Sequence, residues 1–110
     1  MNEKISSQML KGILEGCLLQ IISQGEVYGY EMNLKLASYG LDAVSEGSIY
    51  PLLLKMQKKE LITSTLKKSD EGPMRKYYTL TEKGKIEKEK FFLQWQELSK
   101  AVNELWRCAE

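Results

Sequence analysis

The chain has 110 residues, 43% of them hydrophobic and 28% charged, which is one soluble globular domain with a thin core rather than a disordered tail. It contains no histidine and only two cysteines, Cys17 and Cys108, far apart in sequence. That composition excludes imidazole catalysis, His-containing zinc sites, metal clusters and a disulfide framework.

No apolar leader follows Met1 to Lys4, and Glu15 interrupts the only strongly apolar stretch. The expected setting is therefore a reducing cytoplasm, with no membrane span, no cofactor and no enzymatic role. The net charge of +1 hides a segregation: residues 55–90 carry eleven Lys/Arg against six Asp/Glu, whereas residues 1–54 carry three against six. A basic middle can present a positive face to a polyanion.

From Ser7 to Gln24 two apolar rows run side by side at i, i+4: Met9, Ile13, Cys17 and Ile21 beside Leu10, Leu14, Leu18 and Ile22. This predicts one helix with an apolar stripe wider than a single contact needs. Gly12 and Gly16 each weaken a helix by about 1 kcal/mol relative to Ala; close approach of another helix would explain them, and simple tolerance of the pair is the competing account. Gln24-Gly25-Glu26 ends this helix. A second helix is expected from Tyr28 or Gly29 to Tyr39, with Gly40 as its C′ residue.

The third helix opens near Ser45, whose hydroxyl is a candidate cap ahead of Glu46. Ile49, Leu52, Leu53 and Met56 give it one core face, and Pro51 should loosen its first turn. Lys55, Lys58 and Lys59 stand away from that stripe beside Ser48. Two short helices joined by a tight connection, the second with a basic outer face, make a helix-turn-helix.

The period then changes. Leu61 to Leu66 is β-branched and alternating, Lys68 to Pro73 is a loop by composition, and Arg75 to Leu80 reads as a returning strand. This hairpin carries Lys67, Lys68, Arg75 and Lys76 near its tip, within reach of phosphates. Thr81 caps a last helix expected to reach Arg107, about 40 Å long. In it Phe91, Trp95, Leu98, Val102 and Leu105 follow a 3.5-residue repeat, the pattern of helices sharing an axis. Such a seam could pack on the first helix of the same chain, but one with this many large apolar groups is expected to pair with a second copy.

The chain resembles the PadR-type transcriptional regulators. The resemblance rests on Tyr28-Gly29-Tyr30-Glu31-Met32, Gly47-Ser48-Ile49-Tyr50-Pro51-Leu52-Leu53, Gly72-Pro73-Met74-Arg75-Lys76-Tyr77-Tyr78 and Leu80-Thr81-Glu82-Lys83-Gly84, in register. Tyr28 departs from the pattern, since many relatives carry histidine there. The length is similar to that of the short subfamily with one carboxy-terminal helix.

The resemblance implies a homodimeric winged-helix repressor built from its first and last helices. It also implies that an aromatic or hydrophobic effector binds between the last helices, beside a tryptophan placed like Trp95. The expected fold is mainly α with a small β-hairpin. A winged helix-turn-helix would occupy residues 1–80 and a dimerisation helix residues 81–110.

Sequence-specific binding of double-stranded DNA as a symmetric dimer on an inverted repeat is the expected function. The candidate DNA contacts are Tyr30, Ser48, Tyr50, Lys55, Lys58, Lys59, Lys67, Lys68, Arg75 and Lys76. Ser48 and Tyr50 lie nearest the bases, although Tyr50 could equally be a partly buried packing residue whose hydroxyl meets a phosphate. The candidate dimer interface is Met9, Leu10, Ile13, Leu14, Phe91, Trp95, Leu98, Val102 and Leu105. Phe91, Phe92, Trp95 and Leu98 are the candidate effector residues, with simple filling of the dimer core as the competing role. The alternative from another class is a winged-helix protein-interaction module without DNA binding, which the basic third helix and wing disfavour.

Overall fold

The broad apolar stretch at the start of the chain breaks in two. The computed structural model describes residues 5–69 and 72–108, and in it α1 spans Ser7–Lys11 and α2 spans Leu14–Ser23. The expected single helix is corrected at Gly12 and Ile13. Gly12 weakens helix propagation, and α2 starts afresh from Ile13 with no side-chain cap. The two apolar rows differ in burial. Leu10, Leu14, Leu18 and Ile22 are buried in the chain's own core, whereas Ile13, Cys17 and Ile21 are half-buried and Met9 is exposed.

A short strand, β1 (Val27–Tyr28), precedes α3 (Gly29–Ser38). This strand was not expected from two residues; it exists because β3 (Met74–Leu80) offers it a free edge, with Val27 opposite Tyr78 and Tyr28 opposite Tyr77. The sheet therefore has three strands, in the order β1-β3-β2, and not the two of a bare hairpin. Gly40 does end α3. It has φ of 83°, and the N–H groups of Leu41 and Gly40 donate to the carbonyls of Leu36 and Ala37, both at 2.9 Å. That is the Schellman arrangement.

The connection to α4 (Glu46–Lys58) covers residues 39–45, longer than the tight turn expected, and it tucks Val44 into the core. Ser45 occupies the N-cap position but makes no capping hydrogen bond; its hydroxyl lies 3.3 Å from that of Ser48 instead. Helix α4 continues through Pro51, which leaves the Gly47 carbonyl one turn earlier without its usual backbone N–H donor. At its other end Glu60 takes the left-handed role, with φ of 63°.

Strands β2 (Ile62–Lys68) and β3 form the expected hairpin, paired from Ile62 opposite Leu80 to Lys68 opposite Met74. Asp70 and Glu71, expected in its loop, lie outside the described residues, as does the side chain of Cys108. Helix α5 (Glu82–Cys108) completes the chain.

Thr81 caps α5 as expected, accepting from the Gly84 N–H at 2.9 Å. Its hydroxyl lies 2.7 Å from the Glu60 carbonyl, which ties the start of α5 to the end of α4. Gly84 is required there, because a β-carbon would fall 2.1 Å from the Leu61 carbonyl oxygen.

Leu18, Leu19, Ile22, Met32, Leu36, Ile49, Leu53, Met56, Ile62 and Tyr78 form the centre of the core. It joins α2, α3, α4 and the inner face of the sheet. Burial of this apolar area is the main stabilising contribution, at roughly 25 cal/mol per Å².

Candidate nucleic-acid interface

Turning Ile49, Leu53 and Met56 inward fixes what α4 shows to the outside. Gly47, Ser48, Pro51, Leu54, Lys55 and Lys58 are all exposed. Leu54 was missed in the sequence. Its signal is its place opposite the core stripe, where an apolar side chain has nothing in the fold to bury it and could meet a thymine methyl.

Lys58 is free to reach outward. Lys55 stands at the edge of this face and also rims a cleft with Glu15 and Glu87. Lys59 turns the other way: its ammonium is 3.2 Å from the Glu15 carboxylate on α2. There, as the exposed C-cap residue of α4, it already has a carboxylate partner within the chain.

Tyr50 sits where two of the sequence words meet in space. A β-carbon on Gly29 would lie 2.9 Å from the Tyr50 ring and hydroxyl, so Gly29 is the seat on which this ring packs. The Tyr50 hydroxyl donates toward Glu46 at 3.4 Å. Burial and then the Glu46 charge push the phenol above its usual pKa. The ring still keeps 47% of its surface exposed. Tyr50 thus packs on Gly29 and keeps one edge toward solvent. Tyr30, at the start of α3, is exposed.

In an antiparallel pair, directly opposed residues share a face. The buried Ile62 opposite the partly buried Leu80, and the buried Tyr78 opposite Ser64, define the inner face; farther along it lie Leu66 and Lys76, then Lys68 and Met74. The outer face carries Thr65 and Tyr77, then Lys67 and Arg75. The four wing cations therefore divide into two pairs.

Lys68 and Lys76 are exposed on the inner face beyond the end of the core. On the outer face Arg75 stacks 4.4 Å from the centre of the Tyr28 ring. The Tyr28 ring meets Tyr77 edge-on at 5.3 Å. Lys67 lies 5.7 Å from the Tyr77 ring and forms an ion pair with Glu26.

The effector candidates come together only in part. Phe91 packs on Gly16, where a β-carbon would be 2.4 Å from the ring, so Gly16 admits α5 to α2. Gly12 has nothing within 4 Å at the corresponding place. Phe91, Phe92 and Trp95 line a cavity of about 700 Å³ with Ile13 just before α2, Cys17 and Ile21 of α2, Leu36 of α3 and Tyr39 just after it. Leu98 is not among its walls; it lines a neighbouring cleft with Phe91 and Trp95. Burial pushes the Cys17 thiol above its usual pKa.

Of the expected interface set, Leu10 and Leu14 are already buried within the chain and have little surface left for a partner. Met9, Trp95, Leu98, Val102 and Leu105 remain exposed, and Ile13 and Phe91 are partly exposed. Among the described residues no helix is long and apolar enough to cross a membrane.

A family model described as the transcriptional regulator PadR-like family matches residues 18–90. The chain is similar to the crystal structure of a PadR-like transcriptional regulator from Bacillus cereus. Identity is 60%, over 91% of this chain and 97% of that one, with a TM-score of 0.82. It is also 42% identical to a Streptococcus transcriptional regulator, over 91% and 98% of the two chains, with a TM-score of 0.79. An α3–α4 pair with a basic outward face, a basic wing and these relatives lead to one conclusion: the chain belongs to the PadR-like transcriptional regulator family and is a DNA-binding winged-helix protein.

Proposed function

We propose that the protein is a homodimeric repressor that binds an inverted repeat, with residues 1–80 reading DNA and residues 81–110 joining the two copies. The carrying observation is the seam on α5. Leu105 and Trp106 are 71% and 75% exposed, in line with the half-exposed Leu98 and Val102. An apolar strip of this length on a helix that outruns its own core is a surface made for another helix. The half-exposed row of α2 continues it.

In this arrangement each α4 enters a major groove with Ser48, Leu54 and the edge of Tyr50 toward the bases. Lys55, Lys58, Lys68, Arg75 and Lys76 would meet phosphates, which set register but carry no sequence information. Helix α4 has no arginine, so the commonest strong guanine contact is missing, and discrimination leans on DNA shape. Two-fold symmetry sets half-sites about 34–36 Å apart on one face of the duplex. The protein works in the cytoplasm as a regulator and not as an enzyme.

A flat aromatic or hydrophobic effector would enter beside Phe91, Phe92 and Trp95. It would release DNA only to the extent that it prefers one dimer geometry. Quenching of Trp95 emission by planar aromatics, lost in Trp95→Ala, supports that slot; quenching that follows Trp106 removes it.

Sedimentation at micromolar concentration, joined to a mobility shift on the region upstream of the gene, tests the main reading. The expected result is a dimer that shifts the DNA with a steep salt dependence. A stable monomer would remove the symmetric repressor, and a dimer with no shift at low salt would favour the interaction module.

A further inference from the structure

We infer that Tyr28 is a positioning residue for DNA binding: its ring holds the Arg75 guanidinium flat and turns the edge of that group outward to a phosphate, while Lys67 serves as a strut. This rests on the reading that the wing touches the DNA backbone.

The backbone fixes Tyr28 from two sides. As the last residue of β1 it is held in register with Tyr77, and its N–H donates to the Glu31 carboxylate at 3.1 Å at the start of α3. Its ring is thus anchored to both the helix-turn-helix and the wing. Arg75 lies over one part of this aromatic pair at 4.4 Å.

Stacking uses the face of a guanidinium and leaves its in-plane N–H donors available for a bidentate bond to phosphate. An unsupported arginine on a hairpin must instead be ordered at the moment of binding. Lys67 differs because an ammonium is a point charge. With Glu26 beside it and Tyr77 beneath it, that charge is matched within the protein. The same outer face therefore holds one cation ready for DNA and one that braces the sheet.

The test measures binding of the full chain to a mixed-sequence duplex over a range of salt concentrations, with unfolding followed in parallel. Arg75→Gln should lower the log K against log salt slope by about 0.9 for each wing. Tyr28→Leu keeps every charge and should weaken binding by about 2- to 5-fold for each wing at fixed salt, the worth of an exposed cation–π contact. Tyr28→Phe, which keeps the ring, should bind as the parent does, and Lys67→Gln should leave the slope unchanged.

Equal binding by a folded Tyr28→Leu, with Arg75→Gln still impaired, overturns the positioning role while leaving the wing contact standing. An unchanged slope in Arg75→Gln overturns both. Weak binding by a folded Tyr28→Phe would show that the hydroxyl and not the ring matters, and the stacking account would fall.

Discussion

The body of the protein and the far half of α5 use the same residue types for opposite ends. In the body the core side chains from Leu10 to Tyr78 converge, and Leu18, Met32, Ile49, Leu53 and Met56 are wholly hidden. Beyond Phe91, Leu93, Leu98, Leu105 and Trp106 run along the helix largely exposed. The junction explains the difference. Gly84 lets α5 start against the Leu61 carbonyl, and Gly16 admits the Phe91 ring, after which the helix passes the end of α2. A molecule 57 Å in its longest dimension and 20 Å in its shortest records that projection. Hydrophobic character thus marks both the core and the seam, and only the presence of a neighbour separates them.

The comparison breaks most directly at its junction. Gly84→Val should cost about 3 kcal/mol or more, because a backbone oxygen cannot move aside as a side chain can; urea unfolding measures it. If the loss is under 1 kcal/mol, as for ordinary surface changes, α5 is not held where described.

The next largest effect belongs to the seam. Leu98→Lys with Leu105→Lys should leave the unfolding of the body near its parent value yet weaken self-association by about 100-fold or more, given roughly 1.5–3 kcal/mol for each buried leucine. Sedimentation reads this. A double variant that remains fully dimeric would show that the copies meet elsewhere.

The two glycines of the first apolar stretch sharpen the contrast further. Gly16→Ala pushes a β-carbon into the Phe91 ring and should lower stability by about 1–3 kcal/mol, as overpacking does. Gly12→Ala meets nothing, and with Gly12 at φ of −77° it should raise stability by about 0.4–1 kcal/mol. Thermal unfolding of the pair decides this; equal effects would deny that α5 approaches one glycine and not the other.

The smallest expected change concerns Cys17. Its thiol titrates above the usual range because it is half-buried, so less thiolate is present at pH 8 and alkylation should be slower than for a free cysteine. Residue-resolved labelling by mass spectrometry checks it. Labelling at the free-thiol rate would mean that the α2–α5 cleft is open more than it is closed.

Much of the fold was legible because periodicity depends only on neighbours along the chain. The core stripe of α4, the capping role of Thr81, the C′ role of Gly40 and the alternation of the wing all follow from local spacing. The site was less legible. Nothing around Lys59 in sequence distinguishes it from Lys58; a carboxylate forty-four residues away does. Leu10 and Leu14 looked as available to a partner as Met9 and Ile13, and only packing against the rest of the core buried their row.

The sequence by itself determined the helix and strand periods, the basic middle of the chain and the apolar repeat on α5, since each is a property of spacing. Only the tertiary structure decided that Tyr50 rests on Gly29, that β1 joins the wing, and that Arg75 and Lys67 on one sheet face have different neighbours. Those outcomes depend on groups far apart in the chain being brought within a few ångströms, where van der Waals contact and charge pairing act, and no local pattern encodes that distance.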